Sequence, residues 1–185
     1  KKSNESQKDY SDRSINEIER KIKKIGSENI CGFIAETMMG GLVGDVPACD
    51  GYWKKLRYIC NKYDIHLICD EIWCGAGTSG KLYCVDYENI TPDFITFGKT
   101  LTSGYIPLSV IITRSKFLKK IKDKFKLIRL PSSTYQGHSL GVVAAIECMK
   151  IINNNDFLKN VSNKGKYFRK IIYNELKNNE FFHNI

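Results

Sequence analysis

Two charged residues stand where a buried sheet has no use for charge. Asp70 follows the apolar run Ile65 to Cys69, and Lys99, 29 residues later, follows Phe94 to Phe97 and Gly98. In open α/β sheets, ligands bind beyond the carboxyl ends of the strands. Alone, an acid in such a place caps a loop and a lysine is solvated. Together they suit a chemistry that needs an amine and a carboxylate from neighbouring strand ends. Pyridoxal phosphate chemistry is of that kind: a lysine amine forms a Schiff base with the cofactor aldehyde, and a carboxylate keeps the pyridine nitrogen protonated. The released lysine can then move a proton between carbon atoms. Ile72, two residues past Asp70, faces the same side of an extended chain and could pack on the cofactor ring.

The elements that must hold these residues follow from apolar periodicity. Residues 14–25 place Ile15, Ile18, Ile22 and Ile25 on one helical face, with Ser14 and Glu17 as a capping box. Ile30 to Ala35 reads as a buried strand, followed by a loop with Gly40, Gly41 and Gly44 that ends at Pro47. Helical spacing returns over 51–63, with Trp53 and Tyr52 as packing residues, and strands are expected at Ile65 to Cys69, Phe94 to Phe97 and Leu108 to Thr113. Further helices are expected over 115–125, 139–152 and 156–177, with Asn153 to Asn155 a solvated loop. Apolar strands without polar alternation, mostly separated by helices, predict an α/β fold with a mostly parallel sheet and helices on both faces.

Composition narrows the function classes. The chain has 185 residues, 42% hydrophobic and 26% charged, which excludes a disordered tail or a collagen-like rod. Its longest apolar stretch, Val142 to Ile146, is too short to span a membrane, and Lys1 to Asp12 carries no signal-peptide core. The first residue is not Met, so a piece of a longer polypeptide is expected. A formal charge of +9 comes mostly from lysines on helix-like stretches, which reads as a solvated basic face, with no nucleic-acid partner expected. Seven cysteines without a C-x-x-C pair, beside three histidines, give no metal site. The odd count, with Cys69 inside an apolar run, predicts reduced core thiols and a cytoplasmic or organellar setting. His66 and His138 are expected as a strand and a loop residue, not as catalytic bases.

ICDEIWCGAGTSGKLY followed by TPDFITFGKTLTSGYIPL resembles the central region of the class III aminotransferases, a branch of the fold-type-I pyridoxal phosphate enzymes. The segments FIAETMMGGLVGDVPACDGYWKKLRYICNKYDI and STYQGHSLGVVAAIECM match the same family in order and spacing. The resemblance implies that Asp70 partners the pyridine nitrogen, that Lys99 is the Schiff-base lysine and that Ile72 presses on the ring. Thr134 would reach across a homodimer interface to the phosphate of the neighbouring subunit's cofactor, and Glu36 and Trp73 would lie near the substrate. The implied fold is the large domain of a pyridoxal phosphate-dependent transferase, incomplete here, with residues 1–152 forming part of it and 153–185 beginning the small C-terminal domain. The implied reaction moves an amino group between a small-molecule amino donor, with an ω-amino acid among the candidates, and an oxo acid.

Departures from the family pattern accompany the match. The Glu-Pro pair is Glu36-Thr37, the G-F-G-R-T-G loop is Gly75-Ala76-Gly77-Thr78-Ser79-Gly80, and Ser109 and Ser139 replace a Gly and a Pro. Trp73 stands where many members place a polar residue near the cofactor hydroxyl. Members are more than twice this length, so the phosphate-binding turn and ring-stacking aromatic are expected ahead of residue 1, and a carboxylate-binding arginine beyond residue 185. Gly75, Gly77 and Gly80 also fit G-x-G-x-x-G, but no helical pattern follows and no strand-ending acid stands about twenty residues on. The non-enzymatic alternative is a truncated, inactive relative that serves as a remnant or an interaction subunit. The missing segments favour it, and the intact Asp70, Lys99 and Thr134 oppose it.

Overall fold

The computed structural model describes residues 1–41, 43–126 and 133–182. Leu42 of the expected Gly-rich loop and residues 183–185 of the expected C-terminal segment lie outside the described residues. Four strands form the main sheet: β1 (Gly32–Glu36), β4 (His66–Asp70), β5 (Phe94–Phe97) and β6 (Val110–Thr113), in the order β1-β4-β5-β6. The first three run parallel and β6 is antiparallel to β5. The mostly parallel sheet is thus as expected, with a reversed last strand that periodicity does not register. Inside the Gly-rich loop, β2 (Met38–Met39) and β3 (Val46–Pro47) pair as a short antiparallel hairpin, which the sequence reading treats as loop.

Among the described residues there are five α-helices: α1 (Gln7–Ile25), α2 (Tyr52–Lys62), α3 (Ser115–Phe125), α4 (Ser139–Ile152) and α5 (Asn155–Leu176). The expected start of the first helix at Ser14 is corrected. Ser6 is the cap, its hydroxyl oxygen accepting the Asp9 N–H at 3.0 Å. Arg13 pairs with Glu5 across the new first turns, and Glu17 bonds Arg13 instead of closing a capping box. Buried Ser11 continues the face of Ile15 and Ile22 one turn upstream, and a small hydroxyl is invisible to a count of apolar residues. The Asn153 to Asn155 loop is also shorter than expected: Asn154 caps α5 by accepting from Asp156 and Phe157, and Asn155 is already helical.

The core lies between α1, α2 and one face of the sheet. Trp53, Leu56, Ile59 and Cys60 of α2 meet Ile65, Leu67, Cys69 and Val85. Leu56 and Leu67 are fully buried, each worth about 1.5–3 kcal/mol of transfer free energy. Burial pushes the thiols of Cys60 and Cys69 up to about 11 and about 12, so these are inert packing groups. Asp93, entering β5, ties the layers together by accepting from Arg57 of α2 (2.7 Å) and the Leu67 N–H (2.9 Å) and by pairing with Arg114 before α3.

The opposite face is covered only in part. Phe117 of α3 meets His66 and Phe94 edge-on, with ring centroids 5.2 and 4.8 Å apart. Beyond it Ile34 is 60% and Ile111 73% exposed. Helices therefore lie on both faces, as expected, without closing the second one.

Candidate active site

Strand register brings the charged residues to one end of the sheet. Glu36 pairs with Asp70 and Asp70 with Thr96, so their side chains form a row across the carboxyl ends of β1, β4 and β5. The Asp70 carboxylate is oriented from two sides. Its Oδ1 accepts the Ile72 N–H at 3.0 Å and the Thr96 hydroxyl at 3.1 Å. Among the described residues no group donates to Oδ2.

Lys99 opens the turn that follows β5. Its φ is 43°, in the left-handed region that costs a non-glycine residue about 1–2 kcal/mol. Backbone strain of this sort persists only where the surroundings hold it, and it concentrates at functional sites. The holding groups are visible. Leu101 is buried and its N–H bonds the Gly98 carbonyl at 2.9 Å. Ile72 packs against Gly98, where an added β-carbon would lie 3.3 Å from Cγ2. The lysine itself is exposed, and its Nζ sits 5.3 Å from the Trp73 ring centroid.

Glu71, next to Asp70, escapes a sequence reading that looks for charge at the site rather than beneath it. It is 1% exposed, accepting the N–H groups of Cys84 and Val85 at 2.7 Å each and the Thr37 hydroxyl at 3.2 Å. Burial raises its pKa against the lowering effect of these bonds. Thr37 also donates its backbone N–H to the Asp70 carbonyl at 3.1 Å, a bond that proline cannot make. Thr78 exchanges a 2.9 Å hydrogen bond with Thr100, beside Lys99. Thr96 and Glu71 carried one sequence signal each, a hydroxyl at period two from Gly98 and a second acid after the strand.

The Gly-rich loop after β4 turns the chain against the C-terminal helices. Gly77 (φ 89°) leaves no room for a side chain, since a β-carbon would lie 2.7 Å from Cγ2 of Ile152. It opens no helix, in agreement with setting the dinucleotide reading aside. α4 rests on the Lys99–Thr102 turn. Glu36 is exposed, and its Oε2 accepts the Gly40 N–H at 2.9 Å. Thr134 lies in an exposed turn ahead of α4, without a hydrogen bond to the strand-end residues among the described residues. His138 caps α4, its Nδ1 accepting the Gly141 N–H at 3.4 Å.

The mostly parallel sheet thus presents an acid and a lysine at adjacent strand ends. The aminotransferase class-III family matches residues 1–185, and the chain belongs to that family. It is 32% identical over 168 residues to an aminotransferase of Gibberella zeae, covering 91% of this chain and 33% of that protein. It is 33% identical over 160 residues to gamma aminobutyrate transaminase 2 of Solanum lycopersicum, covering 85% and 35%. Among solved structures, an (S)-enantioselective omega-transaminase from Thermomicrobium roseum superposes with a TM-score of 0.87 at 28% identity, over 97% of this chain and 39% of that one. The chain thus spans about a third of the length of the curated relatives it matches. No helix among the described residues is long and apolar enough to cross a membrane.

Proposed function

We propose that this chain is the cofactor-anchoring part of a pyridoxal 5'-phosphate-dependent aminotransferase that moves an amino group between a small-molecule amino donor and an oxo acid. The observation that carries the reading is the Asp70 carboxylate: one oxygen is held by Ile72 and Thr96, and no described residue donates to the other. That donor set fits a protonated pyridine nitrogen. When bound, the cofactor supplies an aldehyde for an amine and a ring that draws electrons from the substrate carbon.

The chain's own residues then divide the work. Asp70 holds the proton on the ring nitrogen. Lys99 would hold the cofactor through its Nζ, and the same amine, when free, would move a proton between carbon atoms. Ile72, packed on Gly98, limits the movement of the ring. Glu36 and Trp73 border the substrate, and Thr134 serves the phosphate of a second subunit, so the working unit is a homodimer. Donors named by relatives include gamma-aminobutyrate and putrescine. The amino donor here is of that ω-amine class.

The inactive-remnant alternative draws on the bare sheet face around Ile34 and Ile111. One assay separates the two. Amino transfer from an ω-amine to an oxo acid, measured for the longest natural polypeptide carrying this chain, is expected to fall at least about a thousandfold in Lys99→Ala, in line with loss of a covalent and proton-transfer group. Transfer that persists at the parent rate in Lys99→Ala would overturn the assignment. No transfer by the parent with any donor would favour the remnant.

A further inference from the structure

We propose that Trp73 is a positioning residue for the Lys99 amine and that the turn carrying Gly40, Gly44 and Asp45 is the mount that fixes its indole; the inference rests on the role of Lys99 proposed above. An ammonium within about 6 Å of an indole centroid is drawn to the ring face, and Lys99 Nζ lies 5.3 Å from that of Trp73. The indole is 38% exposed, so burial alone does not fix it.

Three contacts do. The indole lies so close on Gly40 that a β-carbon there would stand 2.5 Å from its Cγ and 2.8 Å from Cδ1 and Cδ2, so only glycine accommodates the ring in this place. The indole N–H donates to the Asp45 carboxylate. Asp45 itself has φ 60°, a conformation that an aspartate tolerates when its side chain is engaged. The turn is in turn tied down. The Gly40 N–H donates to Glu36 at 2.9 Å, and the Gly40 carbonyl accepts from Val43 at 3.2 Å and from Gly44 at 3.1 Å.

The result is a continuous chain of contacts from Glu36 through Gly40 and Asp45 to Trp73 and on to Lys99. With its N–H engaged by Asp45, the indole offers Lys99 its π-face rather than a hydrogen bond. A polar residue at position 73 would offer the opposite. Glu36 acts here on the mount and not on the amine directly. The strained backbone of Lys99 sets the direction of the side chain, and Trp73 sets where its end rests.

The test uses the full chain without cofactor. Trace acetic anhydride is applied and acetylation of Lys99 is read by peptide mass spectrometry, with Lys23 and Lys150 as internal standards. Trp73→Gln is expected to raise Lys99 labelling about two- to fivefold relative to the standards. Trp73→Phe, which keeps an aromatic face without the N–H, is expected to restore at least half of the difference. Unchanged labelling in Trp73→Gln, or equal labelling in the Gln and Phe variants, would overturn the proposal. Pyridoxal phosphate incorporation at Lys99 is scored separately in the parent chain. Its loss would remove the cofactor reading and leave the acetylation comparison standing.

Discussion

At Asp70 and Glu71, two neighbouring acids have opposite environments. Asp70 is half-buried, with one oxygen oriented by Ile72 and Thr96. Glu71 is sealed beneath it, both oxygens occupied, joining the end of β1 to the 3-10 turn Cys84–Tyr87. The pair came from one strand end in the sequence, where only the first acid could be given a role. Period-two alternation puts them on opposite faces of the chain, but which face is buried depends on helices that the local sequence does not contain. A glutamine at 71 keeps one acceptor where two are needed. Glu71→Gln is expected to lower unfolding free energy by about 1–3 kcal/mol, measured by urea denaturation. The pH dependence has a definite sign. Burial raises the folded-state pKa of Glu71, so its contribution is full below the ordinary glutamate value of about 4.3 and fades as pH rises through the raised one. The gap between parent and variant therefore narrows with rising pH. A gap that widens would contradict the buried, desolvated placement.

Elements were more legible than their ends. β5 and α3 occupy the residues that periodicity assigns, because β5 is a mostly apolar run and α3 keeps a 3.6-residue pattern. α1 begins earlier than its apolar face suggests, since Ser6, the Glu5–Arg13 pair and buried Ser11 extend it with polar groups. The β2–β3 hairpin was hidden for a similar reason: two-residue strands have no periodicity. What joins the elements is also polar. Asp93 links α2, β4 and the start of α3, and the Leu67 N–H together with Arg57 and Arg114 outweighs the upward push of burial, holding its carboxyl below the usual aspartate range. That contribution is present above about pH 3.9 and is lost as pH falls through the depressed value. Asp93→Asn is expected to destabilise by about 1–3 kcal/mol at neutral pH, with the loss shrinking in acid, as read by denaturant midpoints. Equal midpoints at pH 7 would show that the network holds nothing together.

For the whole molecule, the parallel strands and the strand-end positions of Asp70 and Lys99 were readable because such positions follow from apolar runs, while the reversal of β6 was not. The coverage of the sheet was not, because a run of Ile and Val looks alike whether its second face is packed or bare. Ile34 and Ile111 on the sheet, with Leu140 and Val143 on α4, leave apolar surface open in this chain. Such patches bind partners or dyes. The isolated chain is expected to enhance the fluorescence of anilinonaphthalene sulfonate, and Ile34→Lys with Ile111→Lys to reduce that enhancement by about half or more. Equal signals from the two proteins would place the dye elsewhere. The Gly77 contact with Ile152 belongs to the same scale, since it sets how closely the α4–α5 corner approaches the strand ends where Asp70 and Lys99 stand.

Lys99 is proposed to bond the cofactor while Asp70 holds its ring. The most direct measurement is the site of covalent capture: pyridoxal phosphate is added to the longest natural polypeptide that carries this chain, the bond is reduced with borohydride, and the modified peptide is mapped. A single dominant label on Lys99 is expected, lost in Lys99→Ala and weakened in Asp70→Asn. A label distributed over surface lysines, or one that remains undiminished in Lys99→Ala, would contradict it.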